Sequence, residues 1–257
     1  MSSRFLWQNL FDSATITASS EASGFPVTKI QHRHFLKAWR SAGLSAEWVK
    51  ADLGSPQAIK AFIVKYHNLT TAATVHVQAN SSDSWSGTLP VDVTVTVTAD
   101  MVARGVIVVD WASAETYQWW RILITDATIA DGYVRIGRIY IGGYFEPSRD
   151  FYREYDDNQV TLSEIVKGAS GQKFVNVLPK YDTFALIYQG LNSTDFATIQ
   201  TIKRAVGADM AFFIILDSAN LQNETYYVSC SSDDWQIHHV FARNNYNLTL
   251  TLEEEAS

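Results

Sequence analysis

The sequence predicts a mainly all-β chain of two domains, and three observations carry that prediction. Apolar and polar residues alternate over many short runs, as in Thr74-Val75-His76-Val77-Gln78-Ala79-Asn80 and Tyr246-Asn247-Leu248-Thr249-Leu250-Thr251-Leu252. Clusters of Gly, Asn, Asp and Ser separate the runs, notably Asn80-Ser81-Ser82-Asp83 and Asp131-Gly132. A single segment, at about 193–206, has helical spacing, with Phe196, Ile199, Ile202 and Val206 along one face.

Taken in order, the first series of strands starts near Thr15 and ends near Phe145. It includes 58–66, the alternating 74–80 and 91–98, the apolar run Val106-Ile107-Val108-Val109, and 119–125. Tyr133 to Ile141 closes it. Regular short strands with turn signals between them read as an antiparallel sandwich of jelly-roll type. Gly142-Gly143 and the polar stretch Tyr144 to Asp150 follow, and the domain boundary is placed there: 1–145 and 146–257.

The second domain reads as strands, one helix, then strands, a small β-barrel or sandwich with the helix packed on it. Its candidate strands are 160–166, 173–178, 183–188, 211–216, 226–230, 235–241 and 246–252. Ser193 or Thr194 is the expected helix N-cap and Gly207 the stop. Asp156-Asp157 and Asp233-Asp234 read as turns, and Glu253-Glu254-Glu255 as a solvated end.

Composition bounds the function. The chain has 257 residues, 47% of them hydrophobic and 18% charged, which supports packed cores and argues against disorder. A net charge of −7 with no basic tract makes nucleic acid a poor partner. The lone Cys230 rules out an internal disulfide and reads as a small core residue. No long apolar run suggests a leader peptide or a membrane helix, so neither secretion nor membrane insertion is expected.

The order of motifs in the first domain then narrows the fold. Ala18-Ser19-Ser20 is followed by Trp39, then Trp48-Val49-Lys50-Ala51-Asp52-Leu53-Gly54, a strand at 59–64, Ser81-Ser82-Asp83-Ser84-Trp85, and Trp119-Trp120-Arg121-Ile122. This series resembles the discoidin (coagulation factor type C, galactose-binding-like) β-sandwich over roughly residues 10–145. Many such domains place an Asp-Gly turn before the loop Trp to supply oxygens to a structural calcium. Here the segment is Lys29-Ile30-Gln31-His32-Arg33-His34, so no calcium or other metal is expected. The stretch from Phe25 to Ser41 is also similar to a version seen in tailed-phage virion proteins. The second domain resembles the phage tail-tube and distal-tail class, which assembles into rings.

The candidate ligand- or partner-binding residues are Phe25, His32, Arg33, Trp39 and Arg40, on loops expected to cluster at one end of the sandwich. Aromatic rings there can stack on sugars or anchor a partner, and arginine offers fixed donors to hydroxyls or carboxylates. Alternatively, Trp39 closes the end of the core and Arg40 pairs locally. His32-x-His34 supplies too few ligands for a structural metal site.

No nucleophile elbow, phosphate-binding loop or metalloprotease helix appears, so neither a catalytic residue nor a cofactor is expected. The sequence therefore points to a non-enzymatic structural protein in the tail of a bacteriophage virion, made in the host cytoplasm. It would join a homo-oligomeric ring at the tail tip or baseplate, beside tail-tube, tape-measure and hub proteins, with the sandwich meeting neighbours or a cell-surface glycan. The alternative is a secreted or surface carbohydrate-binding module without catalytic activity.

Overall fold

A computed structural model of the chain describes residues 2–152, 156–161, 164–167, 170–176, 180–207, 210–230, 235–239 and 245–255. They divide into two compact units: Gln8–Tyr144 with Asn220–Thr225, and Met1–Trp7 with Phe145–Ala219 and Tyr226–Ser257. The first residues therefore belong with the second unit, unlike the sequence-based division. The reason is strand β1 (Arg4–Leu6), which pairs antiparallel with Phe212–Ile215, Phe5 opposite Ile214. Phe5 is fully buried and stacks near Phe212 and Tyr188. In chain order the sandwich is thus an insertion after the first strand of the other unit.

The sandwich contains β2 (Thr15–Ala18), β3 (Trp39–Arg40), β4 (Glu47–His67), β5 (Thr74–Asn80), β6 (Val91–Thr96), helix α1 (Ala99–Arg104), β7 (Val106–Thr125) and β8 (Arg135–Gly142). Strand order is β3-β8-β4-β7-β5-β6, with β2 on β4. The alternating stretch that reads as a strand ending in Asp52-Leu53-Gly54 and the strand expected at 58–66 are one 21-residue strand. It bends where its register with β7 shifts, between Asp52 and Gln57. Gly54, at φ +77°, makes the turn, and its N–H donates to the Asp52 carboxylate at 2.8 Å. The runs expected at 106–109 and 119–125 are likewise one strand, β7.

Helix α1 was not expected. Its six residues are too few to display a period, but its ends are marked: Thr98 Oγ1 accepts the Met101 N–H, and Gly105 takes φ +61°.

The Ala-Ser-Ser motif has a physical role. The Ser20 carbonyl accepts the Trp39 indole N–H at 3.0 Å. Both Ser19 and Ser20 hydroxyls donate to the buried Glu47 carboxyl group, the latter at 2.7 Å. Ser19 Oγ also accepts the Trp48 N–H at 2.9 Å. These bonds satisfy buried polar groups where β2 meets β4, and they seat Trp39 in a core that includes Phe62, Trp120, Ile122 and Ile136.

The second unit adds β9 (Asp156–Thr161), β10 (Glu164–Lys167), β11 (Lys173–Asn176), β12 (Lys180–Leu191), α2 (Ser193–Val206), β13 (Phe212–Ile215), β14 (Thr225–Cys230), β15 (Gln236–His239) and β16 (Tyr246–Glu254). Its seven-stranded sheet runs β1-β13-β14-β16-β12-β9, with β15 also on β16. Strands β10 and β11 form a separate hairpin. Helix α2 packs Ile199, Ile202 and Val206 against Phe184, Leu186 and Leu250.

The mainly β fold with a helix in the second unit is as expected, but details differ. Asn192, not Ser193 or Thr194, caps α2, because its side chain reaches the Thr194 and Asp195 amides at 2.8 and 2.9 Å. Asp156-Asp157 lies in β9, and β16 runs through Glu253 and Glu254. Asp233-Asp234 lies outside the described residues.

Replacing Trp39 tests the packing account. Trp39→Ala removes a fully buried indole and is expected to cost the sandwich about 3–5 kcal/mol in urea unfolding. A loss under about 1 kcal/mol would contradict the core assignment.

Candidate functional site

The site is set by strand alternation. Trp39 and Ile136 face each other across β3 and β8, and both are fully buried. The next pair, Arg40 and Arg135, therefore projects from the opposite face. Both arginines lie against aromatic rings. The Arg40 guanidinium carbon sits 3.9 Å from the Phe25 ring centroid and 4.8 Å from that of Tyr133. Arg135 sits 4.5 Å from the Tyr66 ring, and Lys29 Nζ 4.6 Å from Phe25. Each such contact contributes about 0.5–2 kcal/mol and holds a long cationic side chain in place.

Neither arginine side chain makes a hydrogen bond or ion pair among the described residues, and the Nε atoms of both are buried without a partner. Carboxylates on the surrounding loops are engaged elsewhere. Asp131 accepts from Asn68 Nδ2 at 3.0 Å, and Glu21 accepts the Val27 N–H at 2.8 Å. The contrast with a second cationic group on the sandwich is sharp. There Lys50 donates to Asp83 at 2.8 Å, and Arg121 donates twice to Gln78, at 2.8 and 2.6 Å, while stacking 4.5 Å from Trp85. The Ser81-to-Trp85 motif thus builds a satisfied network, whereas Arg40 and Arg135 keep donors unspent.

The backbone is bent to place this patch. Tyr66 has φ +63°, a conformation that costs a non-glycine residue roughly 1–2 kcal/mol. Its N–H donates to the Gly105 carbonyl at 2.7 Å. Gly137 makes room for it: a Cβ there would fall 2.2 Å from the Phe35 carbonyl oxygen and 2.9 Å from Tyr66 Cβ. Beside the patch, 67–71 and 129–131 border an open cleft. Asn68 ties the cleft to the patch, donating to the Tyr133 carbonyl at 2.9 Å and accepting the Arg135 N–H at 2.8 Å.

Of the expected site residues, the structure joins Phe25 and Arg40. Trp39 is beside them in sequence, but its ring is wholly in the core, hydrogen-bonded to Ser20, and offers no surface. His32 and Arg33 are on an exposed turn. His32 stacks on His34 with ring centroids 5.3 Å apart and contacts Lys37 at 3.0 Å. Lys29, Tyr66, Tyr133 and Arg135 were missed. The alternation Tyr133-Val134-Arg135 puts two of them on one face, but only the register with β3 sets them beside Arg40. Among the described residues, no group of three or more His, Cys, Asp or Glu side chains could hold a metal ion, and no helix is long and apolar enough to cross a membrane.

No protein-family model matches the chain, and no curated protein matches it. Solved structures of carbohydrate-binding modules do match about half of it. One is chitosan-binding module 2 of a chitosanase/glucanase from Paenibacillus sp. IK-5, in complex with chitotriose, at 22% identity and TM-score 0.43 over 52% of this chain and 100% of that one. Another is the family 32 module of NanJ from C. perfringens in complex with galactose, at 15% identity and TM-score 0.41 over 55% and 99%. A third is the fucose-binding module SpX-3 of Streptococcus pneumoniae, at 10% identity and TM-score 0.43 over 52% and 96%. Nothing in these likenesses indicates a virion protein.

Next to the patch, His67 gives a pH prediction. Burial holds its imidazole down at about 4, against an ordinary 6.5. The fold keeps it neutral, so below 6.5 the unfolded chain binds a proton that the fold refuses. Its stability contribution is full above about pH 6.5 and falls by on the order of 3 kcal/mol as the pH drops to 4. Thermal melts across that range should show His67→Gln with a visibly shallower decline than the wild type; identical slopes would contradict the assignment.

Proposed function

We propose that this chain is a non-catalytic glycan-binding protein whose sugar site is the arginine–aromatic patch on β3 and β8. The observation that supports this reading is the pair of arginines, each laid on ring faces, with hydrogen-bonding capacity left unused. Sugar recognition needs fixed donors directed at hydroxyls beside apolar ring edges, and this patch supplies both. Two of the similar modules were solved with chitotriose and with galactose, which adds no weight at that level of similarity.

Binding should be measured on a glycan array with the full chain. Arg40→Ala is expected to weaken any bound glycan by about tenfold or more, with the sandwich still melting cooperatively and losing no more stability than its two ring contacts account for, about 1–4 kcal/mol. Glycan binding untouched by Arg40→Ala would move the site elsewhere, and no glycan binding at all would refute the proposal.

A second reading, a tail-tip or baseplate ring component whose sandwich meets neighbouring tail proteins or a cell surface, draws on the second unit. Its sheet ends in β9 among the described residues, and the separate hairpin β10–β11 exposes Val166 and Val175, at 60% and 53%. A two-stranded hairpin is marginal alone, and exposed edges invite pairing with another chain. Light scattering of the full chain tests this. A ring predicts one fixed oligomer that Val175→Asp dissociates, and a strict monomer at all concentrations, with and without tail proteins, refutes it.

A further inference from the structure

Resting on the glycan-binding reading of this patch, we infer that its ligand is an anionic glycan, one whose sugars carry carboxylate or sulfate groups. Arg40 and Arg135 are direct cross-strand partners. Side chains so placed start only ~4.5–5.5 Å apart, and like charges directly opposite destabilise a sheet. The fold retains the pair without a carboxylate between them. Lys29 adds a third cation on the far partner of the same stack, Phe25. Glu21 and Asp131, on the adjoining loops, accept from Val27 and Asn68 and form no ion pair with either arginine.

A neutral sugar explains the donors but not two facing cations that have no ion-paired carboxylate among the described residues. Hydroxyl recognition works with Asn, Gln or Ser donors, and such sites need no paired cations. A guanidinium matches a carboxylate or sulfate with two parallel N–H···O bonds, and charge-assisted bonds are about twice as strong as neutral ones. Ring faces can hold a guanidinium through its plane, which leaves its N–H edge in the plane to meet an anion. The strained Tyr66 and the close-packed Gly137 serve this end, because they position the ring that carries Arg135.

The experiment is affinity electrophoresis of the full chain through gels containing polygalacturonate, a sulfated glycan such as chondroitin sulfate, or a neutral galactan, with a single-stranded DNA gel alongside. Retardation by polygalacturonate assigns a carboxylate ligand, and retardation by chondroitin sulfate a sulfate ligand. Either supports the inference if it exceeds retardation by galactan about tenfold and weakens as salt rises. Arg135→Ala and Arg40→Ala should each reduce it about tenfold or more, and the double variant should lose less than the product of the two, since both hold one ligand. If Arg135→Ala does not fold, Arg135→Lys serves: it keeps the charge but loses the fork, and should still lose several-fold. Binding of galactan as strong as that of the acidic glycans overturns the inference while leaving glycan binding intact. Failure of every glycan overturns both, and DNA binding as tight as that of the acidic glycans makes the patch a general polyanion surface, which also overturns it.

Discussion

The burial of Trp39 is the constraint on which the site depends. Its indole N–H is committed to the Ser20 carbonyl, and its ring is fully inside the sandwich. With Trp39 fixed inward, strand alternation leaves Arg40 only the outer face. Ile136 fixes Arg135 in the same way across the β3–β8 pair. Two buried residues thus decide where two charged ones stand. The Ser19, Ser20 and Glu47 bonds extend that control to the start of β4, so core, polar clamp and surface patch form one local arrangement.

What separates the patch from ordinary surface charge is its unspent chemistry. Lys50 and Arg121 are also stacked on indole rings, yet both have acceptors. Arg40 and Arg135 have ring faces and no acceptors among the described residues. Strain is spent at the same place, in the positive φ of Tyr66, beside Gly137, where only a residue without a Cβ fits. Strained backbone persists only where the surrounding structure over-determines it, and it gathers at functional positions.

Much of the fold was legible from sequence because its signals are local. Alternation at 74–80 and 246–252, the Gly207 stop and the Ser-Ser…Trp order each report on a few neighbouring residues. Joined strands were not legible: Asp52-Leu53-Gly54 reads as an end, and only pairing with β7 shows it to be a bend. The placement of β1 was hidden for the same reason, since its partner lies some two hundred residues away. At the site, Phe25 and Arg40 could be named from their types and their loop. Tyr66, Tyr133 and Arg135 could not, because Tyr133 and Arg135 come beside Arg40, and Tyr66 beneath Arg135, only through strand register and the positive φ of Tyr66; Lys29, four residues from Phe25, was within reach of a local reading but was not singled out. Trp39 takes the second of the two roles its motif allowed, closing the core and not meeting a ligand, because a loop tryptophan can serve either.

Direct observation of the two guanidiniums decides the central claim. The Nε–H resonances of Arg40 and Arg135, assigned by single substitution in nitrogen-15-labelled full-length protein, can be followed during titration with an acidic oligosaccharide. Saturable shifts at both resonances, larger than at Arg121, are the predicted result. Shifts centred on Arg121 and the Trp48 and Trp85 indoles, with Arg40 and Arg135 unmoved, would contradict the account.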